Sequence, residues 1–204
     1  MSKFKNQYRI ETTRLNNWDY STPWWYFVTI NTKNHIEFFG KVVNDKMYLN
    51  ELGKIVDKFW EEIPNHFKNV GLDYYVIMPN HIHGIIIINE HIDQNDINVA
   101  FQNHGINVAF QNHCRDVACN VSTDNIFSQI SPKKNSLSVI IRSFKSASSK
   151  AIHQTGNKNF KWQSRFYDRI IRDKNELFNI RKYIEQNPLK WELEKDKPEN
   201  IFDL

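Results

Sequence analysis

The sequence predicts an α+β domain in which strands and amphipathic helices alternate, and three observations lead to that class. Residues 24–32 are aromatic and β-branched, which is typical of a strand. Apolar residues then recur at helical spacing after Asn50. Residues 72–89 include four consecutive isoleucines, a run that indicates a strand buried on both faces. With 204 residues, the chain is expected to form one domain over 1–204.

Turn residues, caps and apolar periodicity predict the other elements. In chain order these are a hairpin over 36–49 that turns at Asn44 and Asp45, a helix that Asn50 caps and Pro64 limits, two strands within 72–89 joined near Pro79 and Asn80, a helix from Ser136 to Gly156, an extended segment over 160–172, and a helix from Glu176 to Gln186. Pro188 is expected to stop that last helix, because proline cannot continue one.

Residues of about 91–135 are expected to form a loop-rich, Asn-rich insertion. The stretch 97–104 recurs at 106–113 with a period of nine. Two copies do not build a solenoid, since at least three units are needed to bury a shared core. A local duplication in a surface loop is therefore favoured, and His104 and His113 need no function of their own.

The positive charge of the chain is concentrated in one segment. Residues 133–172 hold ten Lys and Arg residues against one acid, Asp168, whereas the whole chain has a net charge of +4. This is the pattern of a polyanion-binding face, although a solvated basic helix produces the same count. Alternation along 160–172 places Asp168 on the predicted core face, where a charge is unexpected.

His81 and His83 are one residue apart at the start of the isoleucine-rich strand. Strand side chains alternate, so both imidazoles point to the same face. Paired neutral imidazoles are good ligands for a divalent metal ion. The alternative is two polar residues where a strand leaves the core.

Tyr183 and Asn187 are four residues apart on the last helix, about one turn, and so are expected on the same face. The amide oxygen of Asn187 can bind a metal ion, and the phenol of Tyr183 is a nucleophile once its proton leaves. Together with the histidine pair, these groups suit attack on a phosphodiester. Ordinary packing of a helical tyrosine and an Asn that ends the helix is the alternative.

Three segments together resemble a known family. They are 78–84 (MPNHIHG), 162–172 (WQSRFYDRIIR) and 183–191 (YIEQNPLKW), and they occur in the order found in the REP-associated tyrosine transposases. That group belongs to the single-tyrosine HUH transposases, named for a His-hydrophobic-His motif. The resemblance runs from about residue 26 to 191, without the Asn-rich insertion.

The resemblance implies a ferredoxin-like antiparallel sheet with helices packed on it, and a catalytic role for Tyr183 on single-stranded DNA. The product would be a 5′-phosphotyrosine link and a free 3′-hydroxyl. His81, His83 and Asn187 would bind Mg²⁺ or Mn²⁺. Gln186 is a rival third ligand, because related transposases often use Gln there, and Tyr167 is a rival nucleophile.

Single-stranded or hairpin DNA is the expected partner. Cations neutralise phosphates and aromatic rings stack on unpaired bases. The predicted DNA-binding residues are Arg142, Lys145, Lys150, Gln163, Arg165, Tyr167, Arg169 and Arg172. A DNA-binding protein that no longer cuts, and a metal-dependent phosphoesterase that uses water, are the alternative functions.

The N-terminal residues lack the apolar core of a signal peptide, and no run approaches the ~18 apolar residues of a membrane span. Two cysteines, Cys114 and Cys119, form no disulfide framework. A cytoplasmic protein without a membrane partner is therefore expected. The resemblance leaves a monomer and a homodimer open.

Overall fold

The computed structural model of this chain describes residues 3–4, 7–8, 14–15, 18–90, 133 and 135–194. The strands within these ranges are β1 (Lys3–Phe4), β2 (Gln7–Tyr8), β3 (Trp24–Asn31), β4 (Gly40–Val43), β5 (Lys46–Leu49), β6 (Val70–Ile77), β7 (His81–Ile88) and β8 (Tyr167–Ile170). The α-helices are α1 (Glu51–Glu61), α2 (Ile63–His66), α3 (Leu137–Gln154), α4 (Lys174–Glu185) and α5 (Asn187–Glu194). The insertion predicted at about 91–135 lies outside the described residues except for 133 and 135.

The described strands form one four-stranded antiparallel sheet, a short pair β1–β2 and the hairpin β4–β5. In the larger sheet the order is β6-β7-β3-β8. The chain supplies β3, α1, β6, β7, α3 and β8 in that sequence, which is the split βαβ arrangement of the ferredoxin-like fold. The predicted fold class is confirmed.

Strand β7 lies between β6 and β3, which explains its run of isoleucines. Ile85, Ile86 and Ile88 are buried because both faces of this strand are covered. The prediction of two strands joined near Pro79 and Asn80 is confirmed, since β6 and β7 pair from Ile77 opposite Ile82.

Helices cover both faces of the sheet. On one face, the larger core cluster packs Trp60 of α1 and Phe144 of α3 against Tyr26 of β3. On the opposite face, Ile184 of α4 packs with Phe27 and Ile85. The second face is the one that carries the predicted chemistry, because His83 stacks on Phe27.

Turn and cap residues have the roles expected of them. Asn44 and Asp45 have positive φ angles of 50° and 59°, as the two central residues of a type I′ hairpin turn require. The side chain of Asn50 accepts a hydrogen bond from the Gly53 amide and caps α1. That helix ends at Glu61, and Pro64 lies in the short α2.

The extended segment predicted over 160–172 is too long. The structure has strand pairing only from Tyr167 to Ile170, preceded by an isolated bridge between Thr32 and Trp162. The reason is Lys145, whose ammonium donates to the backbone carbonyls of Gln163 and Arg165 and holds them towards α3.

The end of the last predicted helix also differs. Helix α4 begins at Lys174, where the Asp173 side chain caps it, and ends at Glu185. Asn187 then begins a new helix, α5, with Pro188 in its first turn. Proline is tolerated there because the first helical amides have no intrahelical partner. A bilayer-spanning helix is absent from the described part of the chain.

We expect Gly84→Ala to destabilise the protein by about 1–3 kcal/mol, the usual cost of overpacking a core. A Cβ at Gly84 would collide with the Trp60 indole. Urea unfolding followed by fluorescence measures the free energy of unfolding.

Gly71→Ala is the matched control, since its Cβ would meet Ile87 Cβ at an ordinary 3.7 Å. Equal destabilisation by the two substitutions would show that contact with Trp60 is not what requires glycine at position 84.

Candidate active site

The two predicted metal-ligand histidines point to one place. His81 and His83 lie on the same face of β7, and their Nε2 atoms are 3.0 Å apart. Their ring centroids are 4.5 Å apart. Two lone pairs at this distance repel each other, so a proton or a cation between them stabilises the pair.

Asn80 sets the orientation of His81. The Asn80 amide nitrogen donates to the His35 carbonyl, which leaves its Oδ1 to accept from His81 Nδ1 at 2.6 Å. With the proton on Nδ1, the Nε2 atom of neutral His81 is left as an acceptor.

Thr29 and Phe27 hold His83. Residue 29 of β3 pairs directly with His83, and its hydroxyl lies 2.8 Å from His83 Nδ1. The ring of Phe27 stacks on the imidazole with centroids 5.6 Å apart. A hydrogen bond to Nδ1 fixes the ring and leaves Nε2 directed at His81, as in metal-binding histidines.

Burial keeps the imidazole pair neutral. It lowers the pKa of His81 to about 4, and the nearby His35 contributes in the same direction. Burial, followed by the neighbouring His81, holds the pKa of His83 well below its usual range. Neutral imidazoles are the form that binds metal ions.

Tyr183 and Asn187 meet the histidine pair from the helical side. The Tyr183 hydroxyl is 3.3 Å from His83 Nε2, and the rings have centroids 5.1 Å apart. Asn187 is buried beside His81, and it acts to raise the pKa of that imidazole, opposite to the effect of burial. Gln186 is exposed, so of the two amides Asn187 is the one beside the histidines.

Two contacts dock α4 in the position that places Tyr183. Ile184 is buried against Phe27 and Ile85. Arg181 forms a 2.7 Å salt bridge with Asp73 of β6. Both contacts lie within three residues of Tyr183, so the helix is fixed where the phenol meets the sheet.

The donor set suits a divalent cation. Two neutral imidazole nitrogens converge, with an amide beside them. Among the described residues, no three His, Cys, Asp or Glu side chains form a metal-binding group, and the amide of Asn187 is the predicted third ligand. The metal-binding and catalytic roles of these residues stay predictions.

The predicted DNA-binding residues do not form one cluster at the histidines. Six of them are exposed, namely Arg142, Lys150, Gln163, Arg165, Tyr167 and Arg172. Arg169 and Arg172 both form salt bridges with Glu176. Tyr167 is 41% exposed and pairs with Thr29, the residue opposite His83.

Lys145 differs from its predicted role as a surface cation. Its ammonium is half-buried, binds two backbone carbonyls and has a pKa lowered by burial to about 8. The sequence places the charged residue Asp168 on the core face of its strand. The structure explains how the charge is accommodated there, because the buried carboxylate pairs with Arg14 at 2.9 Å.

Sequence reasoning missed four residues at this site. Thr29 and Asn80 bind the imidazoles, and their roles depend on strand register and turn geometry. Lys190 Nζ lies 4.9 Å from the centroid of the Tyr183 ring, and the Trp191 ring lies 5.7 Å from that of His81. The spacing of 187, 190 and 191, which places them on one helix face, is a signal in the sequence.

Comparison with known proteins gives three findings from sequence. Residues 91–187 match the family described as "Transposase IS200 like". A Haemophilus influenzae Rd protein described as uncharacterized is 33% identical over 181 residues, which cover 88% of this chain and 88% of that protein. A second protein of that strain, "Putative REP-associated tyrosine transposase", is 25% identical over 180 residues and covers 84% of this chain and 81% of its own length.

One solved structure is also similar. It shows a REP-associated tyrosine transposase bound to a REP hairpin, with 17% sequence identity and a TM-score of 0.49. The alignment covers 94% of this chain and 74% of that chain.

In protein without added metal, we expect the His81 imidazole to stay neutral until the pH falls to about 4. An unfolded chain binds that proton near pH ~6.5. Between these two values the unfolded state binds more protons, so the free energy of unfolding decreases as the pH falls. NMR of the imidazole nitrogens measures the midpoint directly.

His81→Gln identifies the resonance by removing it. A His81 midpoint at or above the unfolded value of about 6.5 would contradict the buried, neutral pair.

Proposed function

Because the chain belongs to the IS200-like transposase family, we propose that it cuts one DNA strand with Tyr183 and retains the cut end as a phosphotyrosine. The observation that carries this proposal is the 3.3 Å distance between the Tyr183 hydroxyl and His83 Nε2. A phenol beside two converging, neutral imidazoles is a nucleophile next to a cation site. Hairpin-bearing single-stranded DNA is the proposed substrate.

The proposed reaction exchanges one phosphodiester for another. The bond from Tyr183 oxygen to phosphorus forms, the bond from phosphorus to the 3′ oxygen breaks, and the phenol proton is balanced by the proton that the 3′ oxygen gains. The energy of the broken bond is retained in the phosphotyrosine. Attack by a second 3′-hydroxyl then rejoins DNA and releases the tyrosine, without a nucleotide cofactor.

His81, His83 and Asn187 would hold Mg²⁺ or Mn²⁺, and the ion would polarise a non-bridging phosphate oxygen when bound. Thr29 and Asn80 orient the imidazoles through their Nδ1 atoms. Burial of the histidine pair keeps both rings neutral at neutral pH, which is the form that binds metal ions.

Tyr183 is favoured over Tyr167 as the nucleophile by position. Tyr167 is separated from His83 by strand β3, a distance of roughly 9–10 Å between backbones. Its exposed ring suits stacking with an unpaired base. The exposed cations Arg142, Lys150 and Arg165 suit contacts with phosphates along the strand.

Tyr183→Phe is expected to abolish formation of covalent protein–DNA adducts while DNA binding is retained, because the ring is kept and the nucleophilic oxygen is removed. The assay incubates the protein with Mn²⁺ and 3′-labelled single-stranded oligonucleotides that tile both flanks of its own coding sequence. Denaturing gels measure the adduct and anisotropy measures binding.

Tyr167→Phe is the matched control and is expected to keep adduct formation. Cleavage that survives Tyr183→Phe would instead support a phosphoesterase that uses water. Binding without any cleavage by the parent protein would support a non-cutting DNA-binding protein.

Thr29→Val is expected to weaken Mn²⁺ binding by about 10–100-fold, the usual effect of losing a hydrogen bond to a metal-ligating histidine. Mn²⁺ is the better probe because imidazole ligands suit transition metals. Electron paramagnetic resonance of free Mn²⁺ measures the dissociation constant.

Thr32→Val is the control, since the Thr32 hydroxyl donates to the Ile36 carbonyl instead. Unchanged Mn²⁺ affinity in Thr29→Val would remove His83 from the metal site.

A further inference from the structure

Helix α5 presents one face to the candidate active site. Asn187, Lys190 and Trp191 are at positions i, i+3 and i+4, which share a face. Asn187 is buried beside His81, and the Trp191 ring lies near the same imidazole with centroids 5.7 Å apart. Lys190 reaches the nucleophile itself, with Nζ 4.9 Å from the centroid of the Tyr183 ring.

No carboxylate among the described residues neutralises the charge of Lys190, whose ammonium faces the Tyr183 ring instead. Within the described residues, Lys190 takes part in no salt bridge, whereas Arg169, Arg172 and Arg181 all pair with carboxylates. Its backbone amide donates to the Gln186 carbonyl, so the first turn of α5 fixes where the side chain starts.

We propose that Lys190 is a phosphate-binding catalytic residue, which holds the reacting phosphodiester against Tyr183. This inference rests on the proposed function, because it concerns the same phosphate. The ammonium lies over the face of the Tyr183 ring, 4.9 Å from its centroid, so it can reach a phosphate that is bound at the phenol oxygen.

The chemistry needs such a group. During attack, negative charge is spread over the oxygens of phosphorus and over the attacking and departing oxygens. A fixed cation in a partly desolvated site stabilises that charge more than it stabilises the bound substrate. The same ammonium also stabilises the electron-rich ring by a cation–π contact.

Trp191 strengthens the site by excluding water. Its ring packs at a tilt near His81, and within the described residues its buried Nε1 has no hydrogen-bond partner. An indole beside the site replaces water of high dielectric constant, and the attraction between the Lys190 ammonium and a phosphate is stronger as a result. Lys190 therefore acts where its charge is screened less than on an open surface.

The test compares Lys190→Met with Lys182→Met. Lys182 is the matched control because it is exposed and adjacent in sequence to Tyr183, so that both variants lose one positive charge close to the nucleophile. The probes are the 3′-labelled oligonucleotides from the flanks of the coding sequence, with Mn²⁺, under single-turnover conditions.

Lys190→Met is expected to lower the rate constant of adduct formation by about 10²-fold, the effect of removing one group that stabilises transition-state charge. Affinity is measured in the Tyr183→Phe background, which prevents cutting. There, the dissociation constant is expected to rise by less than about fivefold, because one of several phosphate contacts is lost. Lys182→Met should keep the parental rate.

Lys190→Arg tests whether charge is the cause. It is expected to retain at least about a tenth of the parental rate, since the charge is kept although its geometry changes. Thermal melting of each variant confirms that the fold is intact.

Two results would overturn the role of Lys190 while leaving the proposed function in place. One is a Lys190→Met rate within about threefold of the parent, which corresponds to almost no transition-state stabilisation. The other is an equal loss in Lys190→Arg and Lys190→Met. Absence of any adduct with the parent protein would overturn both proposals together.

Discussion

The register between β3 and β7 is the constraint on which the candidate site depends. It places Thr29 opposite His83 and Asn31 opposite His81. A shift by one residue would turn both imidazoles to the other face of the sheet, into the core formed with α1 and α3. Gly84 ties this register to the core, because any side chain in its place would collide with the Trp60 indole. The hydrophobic core therefore determines the orientation of the polar groups.

The second requirement is a break between two helices. Helix α4 ends at Glu185 and does not continue past Gln186. Instead α5 starts at Asn187, with Pro188 in its first turn, and directs three side chains to the histidine pair and Tyr183. Helix α4 itself is held on the sheet by Ile184 and by the Arg181–Asp73 salt bridge. The nucleophile and the amide thus come from neighbouring but separate helices.

The parts of the fold that were predicted correctly are those with a local signal. Isoleucines, turn residues and the Asn50 cap give β7, the β4–β5 hairpin and α1 directly, and the spacing of His81 and His83 gives their shared face. Thr29 and Asn80 could not be assigned to the imidazoles, because their contacts depend on strand pairing and on the turn before β7.

Predictions failed where a long-range contact replaces the local pattern. The extended segment over 160–172 is interrupted because Lys145 binds the Gln163 and Arg165 carbonyls. The same contact removes Lys145 from the surface cations. Lys190 escaped notice because proline after Asn187 indicated the end of a helix, not the start of another.

The central claim is that Tyr183 becomes the covalent link between protein and DNA. The most direct measurement is mass spectrometry of the adduct after protease and nuclease digestion, which identifies the peptide that carries the nucleotide. The account predicts a nucleotide on Tyr183, joined through a 5′ phosphate. A nucleotide on Tyr167, or cut DNA with no modified tyrosine, would contradict it.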